Sequence, residues 1–364
     1  MDKNKITAIV VDDSPLMRKI ITDILNNSGK VRVLDTAMNG QAALQKIEAL
    51  NPDVITLDVD MPVMDGFTCL KKIMDARPRP VIMLSGLTQE GALLTIRCLE
   101  AGAFDFVSKP LGGLSKDIEK VAEEILEKVV EAFNNKNRIA IKKMARKNDE
   151  APAASPVPAD KKNASSHPAA GAASCVVGIG ISTGGPVALR QVIPLLPPDF
   201  PGTVLVQHMP DTFTKAFAQR LDAESQVEVK EAEDGDLVKV GRVLVAPGNF
   251  HMRVKKDRGF LKICLSKEDP VSGHRPSADV LFQSLAEEVG PRSVAVIMTG
   301  MGRDGATGIG LIKKAGGYAM AQDESSCTVF GMPKVAINED AVNEVVTLSK
   351  ISNRLITVSN QKNK

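Results

Sequence analysis

The sequence predicts an α/β protein with two doubly wound parallel sheets, one in each half of the chain. Short apolar runs rich in β-branched residues alternate with segments of helical periodicity in both halves. Many of those runs stop at Asp, Ser, His or Gly, where sheets of this kind place their ligands. At about 150 residues per domain, 364 residues leave room for two or three domains.

In the first half, Ile6–Val11 is an apolar run that ends in Asp12, Asp13, Ser14 and Pro15. Leu16, Met17, Ile20, Ile21, Ile24 and Leu25 then recur at helical spacing. Val31–Asp35 is a second strand, followed by a helix over Gly40–Leu50. Asp53–Leu57 ends in Asp58, Pro80–Leu84 ends in Ser85, and Ala103–Val107 ends in Ser108 and Lys109. An amphipathic helix over Asp117–Phe133 closes a five-strand pattern. Asp12, Asp13, Asp58, Ser85 and Lys109 therefore gather at strand ends. One aspartate there is usually a turn or cap residue. Three together repel unless a cation joins them, and hard oxygen donors suit Mg²⁺. Lys109 adds an ammonium for a phosphate oxygen, Ser85 a hydroxyl, and Asp58 is a candidate phosphoryl acceptor.

Composition shifts after residue 134. The stretch APAASPVPADKKNASSHPAAGAA (Ala151–Ala173) has Val157 as its only large apolar residue, too little to offset the entropy of ordering it. Residues 135–173 carry eight Lys and Arg against three acids and read as a flexible basic linker. The expected divisions are residues 1–134, 135–173 and 174–364.

Strand and helix patterns resume at Ser174 and run to about Leu355. Cys175–Ile181 ends in Ser182, Thr183, Gly184, Gly185 and Pro186, with a helical pattern through Leu196. Thr203–Val206 ends in Gln207 and His208, and Val294–Met298 leads to Gly300, Met301, Gly302, Arg303 and Asp304. Ser182, His208 and Asp304 thus follow three strand ends. A serine nucleophile needs a base, and imidazole suits neutral pH. A carboxylate holds the imidazole tautomer. Amides in Gly300–Gly302 suit an oxyanion, a contribution worth about 3 kcal/mol where measured.

Other readings compete. Gly178 and Gly180 resemble a dinucleotide loop, with the spacing to Gly184 one residue too long. Gly180-Ile181-Ser182-Thr183-Gly184 matches the G-x-S-x-G elbow, whose fold orders its triad Ser, Asp, His rather than Ser, His, Asp. Ser182 by itself is an adequate helix cap. His251 and His274 are rival bases, each better suited to a structural hydrogen bond, while His167 falls in the linker. Asp279 and Asp323 are rivals to Asp304 but end no comparably clear strand.

Composition excludes several classes. The formal charge of +2 makes no bulk case for nucleic acid, and the absence of Trp with a single Tyr argues against stacking platforms for single strands. No apolar run of about 18 residues predicts membrane insertion. The first residues lead into a strand with no signal-like apolar region. Five scattered cysteines, none in a C-x-x-C pair, fit a reducing cytoplasm.

IVVDDSPLMRKI (Ile9–Ile20), DVITLDVDMPVMDG (Asp53–Gly66), PVIMLSG (Pro80–Gly86) and GAFDFVSKP (Gly102–Pro110) resemble a two-component receiver domain. The resemblance implies a flavodoxin-like sheet and Mg²⁺ held by Asp13, Asp58 and the backbone carbonyl of Asp60. It also implies a histidine kinase that phosphorylates Asp58, and a switch through Ser85 and Phe106. Phe106 stands where tyrosine is frequent, so its signal rests on ring packing rather than a hydroxyl. GIGISTGGP, LVQHMP, APGNFHM, HRPSADVLF and GMGRDGATG together resemble the catalytic domain of the chemotaxis receptor protein-glutamate methylesterase (CheB) family. That resemblance implies Ser182 as nucleophile, His208 as base and Asp304 as orienting acid. It further implies the Met301 amide in an oxyanion hole, Thr183 beside the nucleophile, and no cofactor in this half. Arg303 replaces a residue that is commonly small. The expected activity is hydrolysis of glutamyl methyl esters on methyl-accepting chemoreceptors, with deamidation of receptor glutamines. The unphosphorylated receiver is expected to cover the Ser182 cleft. The rival reading is a response regulator with a non-enzymatic interaction domain; a DNA-binding output fits less well, because no helix-turn-helix pattern is present.

Overall fold

The structure, a computed structural model, describes residues 5–86, 88–109, 115–136 and 175–363. Apart from Asn135 and Lys136, the expected linker lies outside them. The chain divides into two units, within Met1–Ala153 and within Ala154–Lys364.

The first unit runs β1 (Ile6–Val11), α1 (Pro15–Asn27), β2 (Val31–Ala37), α2 (Gly40–Leu50), β3 (Val54–Asp58), α3 (Gly66–Ala76), β4 (Val81–Ser85), α4 (Gln89–Glu100), β5 (Asp105–Ser108) and α5 (Ser115–Asn134). The sheet is parallel in the order β2-β1-β3-β4-β5. β3 and β4 are buried at every position, which is why they read as unbroken apolar runs. Helices cover both faces, and four of them start at side-chain caps, Ser14, Asn39, Asp65 and Thr88. Asp58 and Ser85 are the last residues of their strands rather than the first beyond them. Strand order reverses between β1 and β3, and that crevice is where Asp12 and Asp58 emerge.

The second unit contains β6 (Val176–Ile181), α6 (Gly185–Leu189), β7 (Thr203–Gln207), α7 (Asp211–Glu224), β8 (Glu228–Glu231) and β9 (Arg242–Val245). A hairpin follows, β10 (His251–Asp257) and β11 (Phe260–Ser266). Then come α8 (Ala278–Glu288), β12 (Ser293–Ile297), α9 (Ala306–Lys314), β13 (Tyr318–Gln322), α10 (Met332–Asn338), β14 (Glu344–Val346) and α11 (Leu348–Lys362). Seven parallel strands lie in the order β14-β13-β12-β6-β7-β9-β8. Here the order reverses between β6 and β12. Ile181 pairs with Gln207, so Ser182 and His208 leave the sheet from matched positions.

α8 rests directly on β6. A Cβ at Gly178 would lie 2.5 Å from Leu285, and one at Gly180 would lie 2.8 Å from Ala278. These two glycines serve close helix packing inside a strand rather than a dinucleotide loop. The helix expected through Leu196 stops at Leu189 and gives way to a 3₁₀ turn over Ile193–Leu195. Pro194 removes a donor and disfavours α geometry at Ile193. The β10–β11 hairpin was not expected from the sequence. Its signal is present: Met252 and Val254 alternate with Arg253 and Lys255, and Arg258 and Gly259 turn with φ of 47° and 88°.

Val63 carries φ 69°, and Met64 N donates to Pro62 O over 2.8 Å, so Val63 centres a γ-turn of the rare, strained kind. Its side chain is 78% exposed, so little packing compensates. Asparagine tolerates positive φ far better than a β-branched residue. Val63→Asn should stabilise the first unit by about 1 kcal/mol, read as a raised urea midpoint; an unchanged or lowered midpoint contradicts the strain.

Candidate functional site

Two groups of polar side chains sit at strand ends, one in each unit. In the first unit, carboxylate oxygens of Asp12, Asp13 and Asp58 all lie within 4.8 Å of one another. Asp12 and Asp58 are buried and Asp13 is exposed. Lys109 Nζ lies 2.8 Å from Asp12 Oδ2 and 2.7 Å from Asp58 Oδ2. Neither oxygen has a well-formed hydrogen bond; the ammonium is what each faces. Burial pushes the Asp58 carboxyl up to about 6, Asp12 adds to the rise, and Lys109 opposes it. Buried, under-satisfied hard oxygens of this kind fit a divalent cation such as Mg²⁺. Asp60 is exposed, and its amide donates to Asp58 Oδ1 over 3.3 Å. Ser85 Oγ accepts from Thr95 on α4 at 2.7 Å. Phe106 is buried, with the Lys128 ammonium 5.3 Å from its ring centroid. Arg18 was missed by sequence reasoning. Its guanidinium donates to the carbonyls of Asp12 (2.7 Å) and Asp13 (2.9 Å), fixing the loop that carries both acids.

In the second unit, His208 Nε2 lies 2.7 Å from Asp304 Oδ2. Asp304 is 1% exposed and accepts three further bonds, from Ser277 Oγ (2.6 Å), Ala278 N (2.6 Å) and Asp279 N (3.3 Å). Two of these are first-turn amides of α8, so the carboxylate sits at a helix N-terminus. Burial pushes its pKa up, but the bonds from His208, Ser277 and Ala278 outweigh burial and hold it below the usual carboxylate value. The rival Asp279 is driven the other way by burial and by the neighbouring Asp304 charge. The rival Asp323 bonds Ser325 and Ser326 in its own loop.

With Nε2 on Asp304, the other ring nitrogen of His208, Nδ1, is buried and has no hydrogen bond. Ser182 is 9% exposed, and no described residue hydrogen-bonds its hydroxyl. Its main chain is held firmly: the amide donates to Thr299 O at 3.0 Å and the carbonyl accepts from Gln207 Nε2 at 3.1 Å. A Cβ on Gly300 would lie 2.8 Å from Ser182 Cβ, so only glycine lets the β12 loop approach this closely. The Met301 amide that follows donates to no described residue. Thr183 is buried, and its carbonyl accepts from Thr299 Oγ1 at 2.9 Å. Arg303 is well exposed and pairs with Glu339 at 3.0 Å.

Thr299, Gln207 and Gln322 escaped the sequence reading. Thr299 Oγ1 also accepts from the amides of Thr328 and Val329, each at 3.0 Å, while Gln322 Oε1 accepts from Thr299 N at 2.9 Å. The available signal was position, since Gln207 and Gln322 each end an apolar strand. His251 bonds Asp269 O through Nε2 at 3.0 Å, the structural role expected of it. His274 stacks on His208, with ring centroids 3.9 Å apart and planes 13° from parallel.

The chain matches the family model for CheB methylesterase over residues 177–355 and that for the response regulator receiver domain over residues 8–121. It is 48% identical to protein-glutamate methylesterase/protein-glutamine glutaminase 2 of Koribacter versatilis, over 99% of this chain and 98% of that protein. It is 44% identical to the protein-glutamate methylesterase/protein-glutamine glutaminase of Halalkalibacterium halodurans, over 97% and 98%. Among solved structures, the CheB methylesterase catalytic domain of Thermotoga maritima is 45% identical, covers 51% of this chain and 98% of its own, and aligns with a TM-score of 0.50.

Lys109→Met removes the one cation that faces Asp58 among the described residues, so the metal-free carboxyl should titrate higher by ¹³C NMR than in the unsubstituted chain; an unchanged or lower value contradicts the pairing. Thr299→Val strands the buried Val329 amide, the half-buried Thr328 amide and the Thr183 carbonyl, and should cost about 1–3 kcal/mol of the second unit's stability in urea unfolding.

Proposed function

The chain belongs to the protein-glutamate methylesterase/protein-glutamine glutaminase family, and we propose that it hydrolyses glutamyl methyl esters on chemoreceptors under control of Asp58 phosphorylation. We assign residues 1–134 as receiver, 135–173 as linker and 174–364 as catalytic domain.

The observation that carries the reading is the Asp304–His208 bond at the strand end next to Ser182, with Nδ1 left unbonded. Nδ1 takes the Ser182 proton as Oγ attacks the γ-carbonyl. The oxyanion forms against the Met301 amide, a preorganised donor. Asp304 keeps a proton on Nε2 and stabilises the imidazolium. The proton on Nδ1 passes to the departing methoxide, releasing methanol. Water, deprotonated by the same nitrogen, then cleaves the acyl-serine to glutamate and Ser182. A glutamine side chain follows the same course with ammonia leaving, which accounts for deamidation. Thr183 holds the turn behind the nucleophile.

In the receiver, Asp12, Asp13, Asp58 and the Asp60 carbonyl are the residues that would hold Mg²⁺, supported by the three converging carboxylates. When bound, the ion neutralises phosphoryl charge. Asp58 accepts the phosphoryl group from a histidine kinase, Lys109 turns from the carboxylates to a phosphoryl oxygen, and Ser85 bonds another. Phe106 then repacks against the moved β4–α4 loop.

Methanol release from methyl-labelled receptor membranes, with and without Mg²⁺ plus a small phosphodonor, tests both halves. Release should rise with phosphodonor, and Asp58→Ala should abolish the rise while keeping the basal rate. Ser182→Ala and Asp304→Asn should each lower turnover by about 10³-fold or more. Methanol release retained in Ser182→Ala rejects the nucleophile.

A further inference from the structure

We propose that His274 is a positioning residue that locks the His208 imidazole with Nδ1 toward Ser182. The inference rests on His208 acting as general base. The hydrogen bond from Nε2 to Asp304 fixes a single point on the His208 ring. A ring held at one edge still rocks about its side-chain torsion, and Nδ1 has no partner to stop it. The flat face of His274, 3.9 Å away and 13° from parallel, blocks that rocking from one side.

The segment behind His274 is built to hold its ring still. Val271 and His274 exchange backbone bonds of 3.1 and 2.9 Å across a turn with positive φ at Ser272 and Gly273. Arg275 ties the next residue down through Asn249 Oδ1 (2.6 Å) and the carbonyls of Lys267 (3.1 Å) and Glu268 (2.9 Å). Two residues on, Ser277 and the amides of Ala278 and Asp279 grip Asp304. One short stretch, His274–Asp279, therefore braces His208 on its face and Asp304 on its carboxylate. The orientation of the base and that of its acid are set by the same piece of chain. The face that His274 turns to His208 is a planar surface, which another flat ring can replace.

The test uses the full chain and three variants, His274→Phe, His274→Gln and His274→Ala. Methanol release from methyl-labelled receptor membranes gives kcat and KM. Long-range ¹H–¹⁵N spectra of histidine-labelled protein report the His208 Nε2–H bonded to Asp304 without reference to catalysis. His274→Phe should keep kcat within about threefold. His274→Gln and His274→Ala should lower kcat by about 10- to 100-fold, the scale of a small misplacement of a reacting group, with KM within about twofold. The Nε2–H resonance should survive in the Phe variant and broaden in the other two. If the Ala variant does not fold, the contrast between Phe and Gln carries the test. Equal activity and equal spectra in Phe and Gln overturn the proposal. So does a raised KM at constant kcat, which would make His274 a substrate contact. Failure of the premise is separate: His208→Ala with retained turnover removes the base, whatever the His274 variants do.

Discussion

The second unit depends on one buried charge. Asp304 lies 1% exposed among apolar strands, where an unpaired carboxylate is too costly to keep ionised. It stays ionised because it accepts from His208, Ser277, Ala278 and Asp279 together. That requirement places the first turn of α8 over the end of β12. Once α8 is there, it lies across β6, which explains the glycines at 178 and 180. Electrostatic satisfaction of one side chain thereby dictates a helix position, and the helix position dictates the composition of the strand that leads to Ser182.

The same economy of placement occurs in the first unit with the opposite chemistry. There the sheet's reversal point gathers carboxylates and leaves one oxygen on each of two of them with only an ammonium to face. The second unit satisfies its acid fully and leaves an imidazole nitrogen unbonded instead. In each unit a group that the proposed chemistry uses is among the buried polar groups without a hydrogen bond. In the proposed reactions, a saturated Asp58 would be a poor acceptor of a phosphoryl group, and a saturated Nδ1 a poor acceptor of a proton.

Much of this was legible in the sequence. The apolar strand runs, the acids after β1 and at the end of β3, and the Ser, His and Asp after β6, β7 and β12 follow from patterns of two to six residues. What was not legible are the residues whose role exists only across the sheet. Thr299 reads as an ordinary strand-end threonine, yet its hydroxyl meets backbone groups from two other loops, at Thr183 and at Thr328–Val329. Gln207 looks like a solvent-facing strand terminus and is buried, holding Ser182 and His208 by their carbonyls. The stacking of His274 on His208 is likewise invisible in the sequence, because ring stacking leaves no trace in residue spacing. Periodicity overstates the helix after Ser182 because apolar residues continue past Leu189, while Pro194 ends helical geometry sooner.

The pairing of Ile181 with Gln207 has a further consequence. Nδ1 is attached to Cγ, so it reaches less far from the backbone than Nε2 does. A base working through Nδ1 therefore needs its nucleophile about one strand spacing away, some 4.8 Å. Ser182 and His208, leaving neighbouring strands at the same height, meet that condition with no help from loop length. Strand registration is the measuring rod of this site. An inserted residue near the end of β6 or β7 would offset donor from acceptor by a full step, whereas the loops joining these strands are free to lengthen without moving either group.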